Sequence, residues 1–199
     1  MIASVAIVAV VLTYTWLLAS VTPRWTATVA AAIVVGIAIV RAMRSGDWGV
    51  ARSAFLPSLR ATAVFTAAAA FGVAVAGGRL GSWHDRATLA TDAALLVPWA
   101  LGQQFALQIV LLRDAQAATS REAGILVAAA AFAALHLPNP FLTAATLVGA
   151  VAWCWIYDRH PNLLPLALSH ALLTLIVLCA LSDAVTGRLR VGAAYLDLH

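Results

Sequence analysis

Apolar residues run along this chain in long blocks, broken at intervals by clusters of Arg, Asp, Gly and Pro. Positions 2–23 hold no charged side chain, and that block closes at Thr22-Pro23-Arg24-Trp25. A bilayer core is spanned by about 20 apolar helical residues, so the block predicts a first membrane helix. Its start, Met1-Ile2-Ala3-Ser4, lacks the basic segment that opens a cleavable signal, and the helix is expected to be kept. A shorter second block covers about 25–40, and a polar stretch, 41–60, follows with Arg41, Arg44, Asp47, Arg52 and Arg60. The third block, 61–78, is rich in Ala and interrupted by Gly72, Gly77 and Gly78; the loop 79–87 holds Arg79, Trp83, His84, Asp85 and Arg86.

The fourth block, about 88–112, contains Asp92, Pro98, Gln103, Gln104 and Gln108 and is closed by Arg113-Asp114. After the loop 115–122, a fifth runs from about 123 to His136 and stops at Leu137-Pro138-Asn139-Pro140. Two prolines with one residue between them cannot continue a regular helix. The sixth block, 141–157, ends at Asp158-Arg159-His160-Pro161, and the seventh, 163–182, carries His170. The segment 183–199 is polar and amphipathic, with Arg188 and Arg190. The pattern predicts an all-α, polytopic transmembrane helix bundle of about seven spans. It divides into an N-terminal part with three spans (1–87), a four-span core (88–182) and a polar tail (183–199). No internal repeat is visible.

Composition excludes the soluble alternatives. Hydrophobic side chains make up 63% of the 199 residues and charged ones 10%, whereas a soluble domain is about a quarter charged. The net charge is +4, and all 12 basic residues are Arg. They lie mostly between apolar blocks, where they act as topology determinants, and form no clustered basic face for nucleic acid. With seven spans and the N-terminus inside, the inner loops carry Arg41, Arg44, Arg52, Arg60, Arg113, Arg121 and Arg159. The outer segments carry Arg24, Arg79, Arg86, Arg188 and Arg190, and this bias favours the N-in orientation. Cys154 and Cys179 read as small apolar side chains. Trp16, Trp25, Trp83, Trp155 and Tyr157 stand at span ends, where aromatic residues anchor helices at the interface.

Candidate chemistry rests on polar groups placed where polarity is costly. Gln104 and Gln108 are four apart and share a helix face, with Gln103 about 100° round. They can glue neighbouring helices by hydrogen bonds, or line a site. His136 ends its block just before the proline break, where it can cap freed carbonyls or serve a pocket. His170 needs a partner at its depth, and His136, the glutamines and Thr174 are available; Thr174 lies on its own helix face. Two histidines and three glutamines from three helices can thus converge on one buried polar pocket. A metal site would have to be built on His136 and His170 with Asp92 the one intramembrane carboxylate, a poor zinc set, and none is expected. Ser169 and His170 are adjacent and point about 100° apart on a helix, which does not suit a nucleophile–base pair.

In order and spacing, Gln103-Gln104-x-x-x-Gln108, Phe132-x-x-x-His136 and His170-x-x-x-Thr174 resemble the CPBP family, the CAAX proteases and bacteriocin-processing enzymes also called the Abi family. Its members read Glu-Glu-x-x-x-Arg, Phe-x-x-x-His and His-x-x-x-Asn on successive membrane helices. Gly149, Tyr157 and Pro161-Asn162-Leu163-Leu164 fit the same pattern, and the likeness covers about 98–178. The resemblance implies catalytic positions at Gln103, Gln104, Gln108, His136, His170 and Thr174, and substrate-binding positions at Phe132 and Asn139; no metal and no cofactor is expected. It also implies a multi-pass protein of a bacterial plasma membrane whose partners are the lipid bilayer and a membrane-embedded peptide or lipid-like substrate.

In the family the paired glutamates are taken to activate water. Here amides replace both carboxylates and the Arg, and an amide is no general base near pH 7. Removing acids and base together leaves no orphaned buried charge, as expected of an altered natural site. Three functions follow as expectations. One is altered chemistry on an amphiphilic or isoprenoid-like substrate, with weak or no peptide hydrolysis. The others are intramembrane proteolysis with histidine as base, and non-catalytic binding or scaffolding.

Overall fold

A computed structural model describes residues 1–23 and 25–198; Arg24 and His199 lie outside the described residues. The chain is an all-α bundle, with no strand among the described residues and one isolated antiparallel bridge, Val50 to Asn162. The first helix, α1 (Ile2–Leu12), continues through a π-helical stretch, Thr13–Leu18. Next come α2 (Trp25–Ser45) and, after a short turn at Arg52–Ala54, α3 (Phe55–Leu80). The central helix α4 (Leu89–Phe105) runs without a break through a π-helical segment, Ala106–Leu112, into α5 (Arg113–Ala118). Then follow α6 (Arg121–Ala134), α7 (Pro140–Arg159) and α8 (Leu163–Ala180). Two short pieces, α9 (Asp183–Thr186) and α10 (Ala193–Leu196), complete the chain.

Five of these helical stretches are long and apolar enough to cross a membrane: 25–45, 52–80, 89–118, 140–159 and 163–180. The first expected span forms a shorter apolar helix, 17 residues at Ile2–Leu18, and the fifth forms a helix of 14 residues, Arg121–Ala134. The second span is longer than its apolar block, because the helix carries Arg41 and Arg44 in its last turns. Likewise α3 begins at Phe55, inside the expected polar stretch, and the expected 115–122 loop shrinks to Thr119 and Ser120. Long arginine stems can lie along apolar surface while their heads reach water, so an Arg does not end a membrane helix.

Helix starts follow local chemistry. Ser120 accepts a hydrogen bond from Ala123 N at 3.2 Å, Asn139 from Leu142 N at 2.9 Å and Asn162 from Leu164 N at 3.1 Å. Each side chain thereby satisfies one of the orphan donors of a first turn. Pro140 sits at the first helical position of α7, where its missing N–H costs nothing.

Polar contacts define two ends of the bundle. At one end Arg41 and Ser4 meet Asp114, Arg113 meets Asp47, and Arg121 meets Asp158. At the other, Ser82 donates to Ala180 O, His84 N to Cys179 O and Gly192 N to Leu137 O. The start of α1 and the tail after α8 therefore lie at opposite ends. The core is formed where α4 lies along α8 and α6 along α7, with Leu107, Leu112, Phe132, Trp153, Tyr157 and Leu166 buried at its centre. Helix α3 packs on α8 and α7 from outside.

Tyr157 corrects an expectation. It is not an interfacial anchor but 0% exposed, with its hydroxyl 3.5 Å from Asp47 and the Arg113 guanidinium over its ring. The polar loop after α2 folds inward to meet it: Leu163 N donates to Gly49 O at 2.7 Å, and Ala51 N to Pro161 O. Gly49 has φ +68, and Leu163 and the Tyr157 hydroxyl leave no room for a side chain there. The other four aromatic residues of that set, Trp16, Trp25, Trp83 and Trp155, are exposed as anchors should be.

Candidate active site

The site assembles where α4 and its π-helical continuation pass between α6, α7 and α8. Gln104 and Gln108 are completely buried. Gln108 Nε2 donates to Gln104 Oε1 at 3.0 Å, and Gln104 Nε2 lies 3.5 Å from His170 Nδ1. An amide NH₂ can only donate, so His170 Nδ1 accepts and its proton sits on Nε2. Cys154 lies beside Gln108, while Gln108 Oε1 has no hydrogen-bond partner among the described residues. π-Helical turns recur at functional positions, because they shift side chains off the α-helical register; here the turn starts two residues after Gln104.

His136 lies just beyond α6, after the capping residue Leu135. Its Nδ1 donates to Phe132 O at 2.8 Å, since a carbonyl can only accept. One ring nitrogen thus caps the helix end, and the other, Nε2, is left as an acceptor. The Phe132 ring stands between the histidines, its centroid 5.0 Å from that of His136 and 6.4 Å from that of His170. The pair therefore offers one acceptor nitrogen and one N–H donor around a buried phenyl ring.

His170 is also stacked on Trp153, with centroids 4.6 Å apart and planes at 26°. Trp153 Nε1 donates to Ser169 Oγ at 3.1 Å, and the Ser169 and Thr66 hydroxyls meet at 2.7 Å. Sequence reasoning missed both Trp153 and the α3 residue Thr66. Trp153 does stand mid-block rather than at a span end, and that position was its signal. Thr66 is one hydroxyl in an Ala-rich helix and carries none.

A groove of about 430 Å³ runs between α3, α7 and α8 and reaches His170 and Thr174. Phe65, Gly149, Trp153 and Val177 line it, and Leu189 of the tail borders it. Thr174 Oγ1 donates to His170 O at 3.0 Å, one turn along α8. The groove is reached from the α3 side; Gln104 and His136 lie behind the Trp153–His170 pair and do not border it. Gln103 is half-buried and turned off the Gln104–Gln108 face. Asn139 is 1% exposed, and besides its cap it donates through Nδ2 to Thr186 O at 2.9 Å and Arg190 O at 3.1 Å. Its amide is spent on pinning the tail to the proline break. Asp92 stands at the first turn of α4, paired with Arg86 and Thr88 at the far end from the site.

No curated protein and no solved structure matches the chain significantly. One family model does, over residues 89–176, described as type II CAAX prenyl endopeptidase Rce1-like. The matched segment begins with α4 and ends within α8, so it contains Gln104, Gln108, Phe132, His136 and His170. The similarity to this family thus lies in the helical core, from α4 into α8.

Proposed function

We propose that this protein binds a membrane-embedded amphiphilic peptide or lipid-like substrate through its CPBP-type core, with little or no glutamate-type peptide hydrolysis. The observation that carries this reading is the neutral polar row Gln108–Gln104–His170, which no carboxylate joins among the described residues. A protease of the glutamate type needs a base to take a proton from water, a contribution of about 10²–10⁴ in rate. Amides can instead orient: Gln104 fixes His170 so that its Nε2–H is a donor, and His136 Nε2 is the complementary acceptor. A substrate lying in the apolar groove would meet His170 and Thr174 as polar groups. The protein would act in a bacterial plasma membrane, with the arginine-rich end of the bundle on the cytoplasmic side.

A second reading has one observation in its favour. His136 donates through Nδ1 to Phe132 O, which leaves the Nε2 lone pair free to accept a proton from water. Proteoliposomes carrying a membrane-anchored peptide with a prenylated CAAX end separate the two. The binding reading expects photocrosslinking of the peptide to groove positions without cleavage, and cleavage gained in Gln103→Glu/Gln104→Glu. Brisk cleavage by the unmodified protein, abolished by His136→Ala, would overturn it and make histidine the base.

A further inference from the structure

A second groove, of about 380 Å³, opens between α3 and α7 nearer the arginine-rich end. Ala61, Val64 and Phe65 form one wall and Ala152, Trp155 and Ile156 the other, so it is wholly apolar. Helix α3 starts and α7 ends at the same end of the bundle, as the contacts of Ala51 with Pro161 and of Ser58 with Asn162 fix. Arg60 precedes Ala61 directly and Val64 by one turn, and Arg159 follows Trp155 by one turn. Both arginines therefore stand at the groove's outer rim, and both are exposed.

Neither charge is neutralised by a carboxylate among the described residues. Arg41, Arg86, Arg113, Arg121 and Arg188 each meet an aspartate, whereas Arg60 and Arg159 meet no carboxylate among the described residues. Arg159 is nevertheless held in place. Its guanidinium lies 3.8 Å from the Trp155 ring centroid, and Nη1 donates to Trp155 O at 3.1 Å. That posture fixes a cation over an aromatic wall of the groove while leaving its other N–H donors open. An apolar slot at the arginine-rich end of the bundle, rimmed by two guanidinium groups that meet no carboxylate among the described residues, is complementary to an anionic lipid.

We propose that this groove is a binding site for an anionic glycerophospholipid, its phosphate on Arg60 and Arg159 and an acyl chain between α3 and α7. The site is separate from the histidines and does not rest on the reading of the catalytic core. Phe65, in edge contact with Trp153 at 6.1 Å, borders both grooves and closes the inner end of the lipid slot.

Native mass spectrometry of the purified protein with phosphatidylglycerol or phosphatidylcholine of identical acyl chains tests this. The unmodified protein should retain phosphatidylglycerol more tightly by about tenfold or more, the preference two arginines give an anionic headgroup. Arg60→Gln/Arg159→Gln should abolish the preference. Arg44→Gln/Arg52→Gln, which removes the same charge from the same end away from the groove, should keep it. Ala152→Leu should weaken both lipids by filling the slot. Equal retention of the two lipids by the unmodified protein overturns the proposal. So does an equal loss in the Arg44/Arg52 pair, which would mean diffuse surface attraction. Thermal unfolding of each variant accompanies the measurement, and Arg60→Gln alone serves if the double variant unfolds.

Discussion

Gln108 donates to the Gln104 carbonyl oxygen across one helical turn at 3.0 Å, and both side chains are fully buried. Each amide thus depends on the other for satisfaction in a place without water. Removing one partner strands the other, and a stranded buried polar group costs more than a lost hydrogen bond. Gln104→Leu is expected to lower unfolding stability by about 1–2 kcal/mol, the upper part of the range for polar pairs in membrane bundles. Gln104→Leu/Gln108→Leu should cost less than the sum of its singles, because neither amide is then left stranded by loss of the other. Chemical denaturation in detergent of the four proteins in this cycle measures the difference. A strictly additive double variant would show that the two amides act separately.

The second prediction concerns the stack on His170. A Cβ added at Gly149 would come within 2.9 Å of the Trp153 ring. That is too close for any side-chain carbon, so Gly149→Ala must push the indole off its place against His170. Overpacking of this kind costs about 1–3 kcal/mol. Gly72→Ala is the control, since nothing lies near its added carbon; in a helix that change is neutral or slightly favourable. Thermal unfolding should separate the two alanines clearly, and crosslinking of a substrate analogue in the His170 groove should fall only in Gly149→Ala.

How far the sequence led is visible at particular residues. The helices at 88–112, 141–157 and 163–182 were legible because their apolar runs are long and their ends carry Pro, Asn or paired charges. The spacing of Gln104 and Gln108 placed them on one face, and they bond as that face requires. Tyr157 was misread because its position at a span end suggests an anchor, while the loop that buries it arrives from a hundred residues earlier through Asp47 and Gly49. Trp153 and Thr66 were missed for the same reason: their partners His170 and Ser169 belong to another helix, and one-dimensional periodicity carries no record of which helices become neighbours.

The third prediction addresses the loop that covers Tyr157. Arg113 Nε and Nη2 reach Asp47 Oδ2 at 3.1 and 3.0 Å, and Gly49 N reaches Oδ1 at 3.0 Å. The ion pair is about one-third exposed, so by itself it is worth at most about 1 kcal/mol. The carboxylate also anchors the turn that lets Gly49 O accept from Leu163 N. Asp47→Ala should therefore barely shift global unfolding yet speed hydrogen exchange at Leu163 and Ala51, while Asp47→Asn, which keeps an acceptor, is milder. High salt should mimic part of the alanine effect by screening the pair. Unchanged exchange at Leu163 in Asp47→Ala would show that the loop is held by its backbone contacts alone.

The last prediction decides what Asn139 does. The family resemblance places it among substrate-binding residues, whereas its side chain makes three hydrogen bonds within the chain and is almost fully buried. The oxygen caps α7 and the NH₂ holds the carbonyls of Thr186 and Arg190, so only a side chain with both an acceptor and two donors serves. Asn139→Asp keeps the cap but turns a carboxylate oxygen towards two carbonyls, a repulsive arrangement in a dry site. It should be no better than Asn139→Ala, which loses a cap worth about 1 kcal/mol and leaves both carbonyls unpaired. Arg188 and Arg190 are already exposed; freed from its anchor, the backbone around them loosens, and trypsin should cut there faster in both variants than in the unmodified protein. A substrate-binding role predicts the opposite pattern: tail cleavage unchanged, crosslinking of a substrate analogue lost. Measuring both on the same preparations separates the two, because the tail bonds to Thr186 and Arg190 and the groove at His170 are different places, which meet at Leu142 and Leu189 on the groove's lining.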